Sequence, residues 1–523
     1  MSRKSYLAMA CIFFFAGVSS NTSAQNNAIT IDSHTFGEIK ARAIGPAVMS
    51  GRISSIDAVH SDPRIIYVGT ASGGVWKSKN GGTTFEPIFD KHTQSIGSLR
   101  IDQAHPDTVW VGTGEHCTRN STSVGTGLYK SIDGGENWKF VSLEDSERIS
   151  AILIDPRKPN TVYVAALGHL WSANEQRGVY KTTDGGKKWE RILYVDENTG
   201  CSSLAMDPQE PDILYAGMWQ FRRYPDKFHS GGPGSGLYKS TDGGKNWKEI
   251  RSGLPDSALG RITVAVAPSR PNVVYAVVEA KKTALYRSDD LGENWKKMSN
   301  SFIVTSRPFY YGHLVVDPHE YNVVYKPSTS IGVSRDGGKT FASPFTRGGV
   351  HSDHHALWID PNDTQHLLLG TDGGVYQSRD RGQTWGFFKN LPVSQFYRVS
   401  FDMVRPYNVY GGLQDNGSWS GPSSSPGGIE NRDWENLGGG DGFYVFPDPA
   451  DEDILYLESQ GGNIIRKHRS TLEMKRIKPF PKEGEEKYRF NWNTPIAFSP
   501  TNPNRMYLGS QYLLRSDNKG DSW

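Results

Sequence analysis

Two loops of this chain hold acids in settings that suit hydrolysis of a sugar bond. Gly438-Gly-Gly-Asp441-Gly-Phe443-Tyr444 places one in a glycine-rich stretch that a substrate can approach closely, and Leu413-Gln414-Asp415-Asn416-Gly417 places another among amides. Cleavage of a glycosidic bond needs two carboxyl groups: one protonated to assist departure, one ionised to activate water or attack. Asp441 and Asp415 are the candidate catalytic pair, with Glu115 and Asp353 in reserve. Their separation decides between retention and inversion, and sequence spacing does not supply it.

Around them stand candidate ligand-binding residues: Glu115, Trp171, Arg222, Arg223, Arg307, Tyr310, Tyr311, His351, Asp353, His355, Asn416, Asn491 and Asn493. Flat aromatics, arginines, carboxylates and amides converging from several loops suit a glycan or a peptide. The competing reading is that they pin loops together around a water-filled channel. If residues 351–355 are extended, His351, Asp353 and His355 share one face, as in a zinc or non-haem iron site. Ligands so close in sequence are strained, and histidines also serve as ordinary hydrogen-bonding groups, so no metal and no cofactor is assigned. No nucleophile elbow, phosphate loop or dinucleotide fingerprint is present.

The elements that must position these residues are written as a repeat. Gly178-Val-Tyr-Lys-Thr-Thr-Asp184-Gly-Gly-Lys-Lys-Trp189 returns nearly verbatim at Gly127–Trp138 and Gly236–Trp247, and in variant form at Ala284–Trp295 and Gly374–Trp385. Looser copies are Gly73–Phe85, Gly332–Phe341 and Leu513–Trp523, with Asn80 and Asn518 in the acidic slot of the first and last. The alternation before each acid is that of a strand, the Asp accepts backbone N–H groups of its own turn, and glycine supplies a left-handed backbone. A second phrase, typified by Leu153-Ile-Asp155-Pro156 through Val162-Tyr163-Val164, is a strand, a Pro/Asn turn and a strand, and it occurs ten times. Four strands per repeat, about ten repeats and no sustained helical periodicity predict an all-β propeller. With strands A to D numbered outward, boxes form the C–D turns and Pro phrases the A–B turns. The candidate site residues fall on the opposite face, in B–C and D–A loops.

The chain has 523 residues, with 58 Lys+Arg against 56 Asp+Glu. That balance gives no global field for nucleic acid or anionic lipid. Residues 1–24 read as a signal peptide: Arg3 and Lys4, the apolar Tyr6–Val18, then Thr22-Ser-Ala24 as a cleavage site. The expectation is export to the periplasm or beyond, with no membrane span. Cys117 and Cys201 remain after the leader, and one bridge between them is an open option.

These repeats resemble the Asp-box, or bacterial neuraminidase, repeat of sialidases, two-propeller xyloglucanases and the sortilin ectodomain. The resemblance covers nearly all of the chain after the leader, and is greatest to exported bacterial proteins described as sortilin-like or glycosyl-hydrolase-like. It implies either one ten-bladed ring over 34–523, or a seven-bladed ring over 50–390 and part of a second over 391–523, after an N-terminal segment at 25–49. The second division is preferred. In the xyloglucanases it implies a catalytic Asp in an early Thr-Asp-x-Gly-Gly motif. Here Thr70-Ala71-Ser72-Gly73-Gly74 stands there, without the acid, while Thr371-Asp372-Gly373-Gly374 keeps an Asp late in the ring, where its box context implies a structural role. The favoured reading is therefore a propeller that binds a glycan or peptide, the alternative a two-carboxylate glycoside hydrolase.

Overall fold

The computed structural model describes residues 42–119, 122–343 and 349–523. The leader read at residues 1–24, with its cleavage point, lies outside them. Among the described residues ten antiparallel sheets follow one another along the chain, eight with at least four strands and two with three. In the third sheet the order is Ile149–Ile154, Val162–Ala166, Gly178–Thr182 and Glu190–Leu193, each strand paired with the next. Among the described residues helix is confined to a single turn at Phe302–Thr305 and two short 3-10 turns.

The two repeated phrases form the turns their chemistry dictates. In the box at Ser240–Trp247, the Ser240 hydroxyl donates to Asp242 Oδ1 at 2.8 Å and accepts the Gly244 N–H at 2.9 Å. Asp242 also accepts the backbone N–H and side-chain amide of Asn246, at 2.9 and 2.7 Å. The Trp247 indole closes the turn by donating to Gly244 O at 3.2 Å. Asn80 and Asn518 do the same work, their amide oxygens accepting Thr84 and Ser522 N–H groups at 2.9 Å. In the Pro turns, Asp155 and Asp207 accept the N–H two residues on, at 2.9 and 2.8 Å.

Packing runs between sheets rather than around one centre. One apolar layer joins the first and second sheets through Tyr67, Val75, Ile96 and Leu99, and similar layers join each sheet to the next through the seventh. A further layer joins the seventh to the first, setting Ala356, Trp358 and Leu368 against Ile53, Ile56 and Val68. Glycine permits the close approach. A β-carbon on Gly112 would lie 2.4 Å from Ile149 of the next sheet, and one on Gly370 of the seventh sheet 2.7 Å from Ile53 of the first. Separate layers join the eighth, ninth and tenth sheets.

The inner strands line a cavity of about 560 Å³, among them Ser54, Ser98, Ser150 and Ser202. Three of these hydroxyls are committed to the next sheet: Ser54 donates to Ile96 O, Ser150 to Cys201 O and Ser202 to Ile262 O. Cys117 and Cys201 are both free and buried, so the bridge between them does not form. Cys201 lies within the strand Thr199–Met206 and donates to Ser203 O at 3.3 Å, whereas Cys117 sits in a loop of the second sheet against Tyr310 and Tyr311.

Candidate functional site

Arg52, directly before the first inner strand, is the hub of a buried polar cluster. Its Nε and Nη2 donate to the two oxygens of Asp372 at 2.6 Å each, its Nη1 donates to Glu115 at 2.9 Å, and Nη2 also reaches Asp415 at 3.0 Å. Arg119 holds Glu115 from the other side with bonds of 3.1 and 2.9 Å and donates to Gln414 at 2.7 Å. Paired planar contacts of this kind suit guanidinium better than ammonium. Asp372 lies between Leu367–Thr371 and Gly374–Ser378, in the B–C turn of the seventh sheet. This corrects the box context expected of Asp372, because the box acid of that sheet is Asp380, which accepts Thr384 N–H.

Asp415 sits in the B–C turn of the eighth sheet with a left-handed backbone, φ 59°. Its own N–H donates to Asp441 Oδ1 at 2.7 Å, and Gln460 donates to Asp441 Oδ2 at 2.9 Å, so the two nominated acids are neighbours. Asn416 donates to the main chain of Asp372 at 3.0 Å. The side chain of Asp415 is 26% exposed while those of Glu115 and Asp372 are sealed, so Asp415 is the most accessible of the Arg52-bound acids.

Protonation divides these acids. Burial alone would raise the Asp372 carboxyl, but Arg52 and His355 hold it well below the usual carboxylate range. Burial likewise opposes ionisation of Glu115, and Arg119 and Arg52 draw it below its ordinary value. Asp415 goes the other way. Burial, then the negative charge of Asp372, push it up to about 8 against the pull of Arg52, with Asp441 adding to the rise. One acid is thereby kept protonated near neutral pH beside others that are ionised, the separation that acid–base chemistry requires.

The histidine segment does not form the expected triad. Asp353 is left-handed, φ 61°, and the strand begins only at His354, so His351, Asp353 and His355 do not share a face. His351 Nε2 faces Asp415 O at 3.1 Å, His355 Nε2 faces Asp372 Oδ1 at 2.9 Å, and Asp353 accepts the Tyr311 hydroxyl. Asp353, Asp372 and Asp415 do bring three carboxylate oxygens within 4.8 Å of one another. Arg52 already supplies the positive charge to two of them.

Tyr310 and Tyr311 flank His355, and Arg307 lies 4.4 Å over the Tyr310 ring. Among the described residues, the other nominated ones make no hydrogen bond or ion pair with Arg52, Asp415 or Asp441, although Arg223 reaches the loop that carries Glu115. Arg222 donates to Asn198 and Arg223 to Thr118 O, Trp171 is 47% exposed on a loop of the third sheet, and Asn491 accepts the Thr494 hydroxyl at its carbonyl. Asn493 lies in that same loop, before the strand Ile496–Phe498. Arg52, Arg119, Gln414 and Gln460 were not nominated. One signal was available for Arg52: Arg-Ile opens the inner strand of the first, third and fifth sheets, at Arg52, Arg148 and Arg261.

Comparison with known proteins agrees with this architecture. Residues 126–253 match the Sortilin-Vps10 family model, described as sortilin, neurotensin receptor 3. The chain is 26% identical over 278 residues to the xyloglucanase Xgh74A of Acetivibrio thermocellus, covering 46% of this chain and 30% of that one. It is 24% identical over 371 residues to a probable oligoxyloglucan-reducing end-specific xyloglucanase of Neosartorya fischeri, covering 64% and 40%. The matches thus span well under half the length of these relatives. In three dimensions the GH74 enzyme of Niastella koreensis is similar, with a TM-score of 0.51 at 16% identity over 92% of this chain and 79% of that one. Boxes and sheets define a β-propeller, and the matches show that it is similar to sortilin and to xyloglucanases. Among the described residues no helix is long and apolar enough to cross a membrane.

Proposed function

We propose that this chain carries the catalytic face of an exported glycoside hydrolase, with Asp415 as the general acid and Asp441 as its partner carboxylate. In this reading Asp415 gives its proton to the departing glycosidic oxygen, and Asp441 either takes a proton from the water that attacks the anomeric carbon or attacks that carbon itself, forming an ester that water then hydrolyses. The observation that carries it is the Asp415 carboxyl, 26% exposed and set against Asp372 and Asp441, where burial and those neighbouring carboxylates favour its protonated form. Acids with raised pKa values cluster at catalytic sites, where a general acid has to hold its proton near neutral pH. Xyloglucan is the first substrate to test, because both curated relatives above are named as xyloglucanases. We also propose that residues 50–390 form one ring of seven sheets and that 391–523 belong to a second. The Gly370–Ile53 contact supports this division over a single ring of ten.

The test is release of new reducing ends from xyloglucan and from an unbranched β-glucan by the full chain. Cleavage that falls by about 10²–10⁴-fold in Asp415→Asn, with the fold intact, is the expected result. Retention of these glycans without cleavage would return the chain to the class of binding propellers.

A further inference from the structure

Four histidines crowd beneath the Arg52 cluster, and three are held neutral. Burial, with Arg261 adding to it, draws His116 down to about 3. Burial also draws His354 to about 3 despite its contact with His351 O, and burial with His116 and Arg261 nearby holds His313 well below the usual range. His355 is the exception. Burial opposes its charge, but the Cys117 sulfur and the Asp372 carboxylate lift it to about 10.

The geometry accounts for the difference. Each ring nitrogen of His355 faces an acceptor: Nδ1 is 3.4 Å from Cys117 Sγ, and Nε2 is 2.9 Å from Asp372 Oδ1. The Nε2 contact sets a ring nitrogen at ion-pair distance from a buried carboxylate, an attraction that is strongest when the ring is charged. Tyr311 stacks on the ring with centroids 5.7 Å apart, and Tyr310 meets it edge-on at 5.0 Å, closing it from solvent.

The geometry points to His355 as a positioning residue for Asp415: a buried imidazolium, held by Cys117, that offsets the charge of Asp372 and so sets how tightly Asp415 keeps its proton. This rests on Asp415 being the acid of the proposed hydrolase. Facing His355 are Cys117, Asp372, Tyr310, Tyr311 and the neutral His116, His313 and His354, while Arg261 and Lys326 lie beyond Cys117. Facing Asp415 are Asp372, Arg52, Asp441, Asp353 and His351. Without the imidazolium, Arg52 still keeps Asp372 ionised, but that carboxylate acts on Asp415 less offset. The Asp415 proton is then held to higher pH.

Nitrogen NMR of the full chain, with His355→Gln for assignment, reads the ring directly. Both ring nitrogens protonated from pH 6 to 9 is the expected result, and a neutral tautomer at pH 7 overturns the proposal. Cys117→Val, which removes the Nδ1 acceptor while filling its space, is expected to discharge His355 within that range, and no change there also overturns it. In His355→Gln the alkaline limb of kcat/KM on xyloglucan is expected to move up by about half a pH unit or more. An unmoved limb in both variants removes the positioning role. Should the wild type cleave no glycan, only the hydrolase reading falls. The Asp415 carboxyl is then followed by difference infrared against Asp415→Asn, and a midpoint unchanged in both variants overturns the role of His355.

Discussion

Asp372 and Asp415 share one guanidinium: Arg52 Nη2 lies 2.6 Å from Asp372 and 3.0 Å from Asp415. The sharing is unequal. Asp372 takes a second Arg52 bond and the His355 contact, whereas Asp415 is left facing three other carboxylates, Asp372, Asp441 and Asp353. Like charges at this range cannot all ionise, so the proton stays on the least supported acid.

That proton has a consequence for stability. Asp415 is raised from an ordinary 3.8 to about 8. Between these values the native protein holds a proton that the unfolded chain releases, so stability is lost as pH rises through the window. Asp415→Asn has no such loss. It is expected to unfold at a higher temperature than wild type by about 2–4 °C at pH 8, with the gap narrowing toward pH 5. Thermal scans at both values check this, and an equal gap at the two would contradict it.

Arg52 is a buried counter-charge for Glu115 and Asp372 and also donates to Asp415. Removing one partner of a buried ion cluster leaves the acids only partly compensated, by Arg119 and His355, at a cost of up to about 3–5 kcal/mol. Arg52→Met is expected to lower the melting temperature by about 5–10 °C, with Arg52→Lys recovering part of the charge but not the paired geometry. A Met variant within a degree of wild type would show that the cluster contributes little.

How much of this was legible follows from what is local. In this box each bond spans four residues or fewer, so Ser240, Asp242, Asn246 and Trp247 can be read as a turn from their spacing alone. The loops that carry Glu115, Asp415 and Asp441 were legible for the same reason, since turns alternate faces along a meander. What hid the hub is distance in sequence: Arg52 meets acids from the second, seventh and eighth sheets, and no local pattern pairs them. The histidine segment misled because period-two alternation presumes an extended chain, and Asp353 turns left-handed within it.

The boxes are structural, which makes them separable from the site. Asp242 is lowered from 3.8 to about 2 by the Asn246 N–H and side-chain amide that it accepts. A depressed carboxyl stabilises the fold above its unfolded value, and that contribution is lost as pH falls toward 2. Asp242→Ala is expected to lower the melting temperature at pH 7 by about 1–3 °C, with the deficit shrinking below pH 4, and to leave kcat/KM on xyloglucan unchanged. A fall in kcat/KM at full stability would place the box on the catalytic face instead.

The contact between the seventh and first sheets can be tested by coupling two residues far apart in sequence. A β-carbon on Gly370 would press on Ile53 at 2.7 Å, so Gly370→Ala overpacks the layer at about 1–3 kcal/mol. Ile53→Ala alone removes buried methyl groups from the same layer, at about 2–5 kcal/mol. If the two sheets abut as described, loss of the Ile53 γ-methyl removes the nearest contact of the new methyl group, at 2.7 Å, and leaves the β-carbon contact at 2.8 Å, so the clash is relieved in part. The double variant is then less destabilised than the sum of the singles by about 1 kcal/mol or more, in denaturant unfolding of the full chain. Strictly additive losses would mean that the sheets do not meet there in solution, and the proposal of a closed ring over residues 50–390 would fall with them.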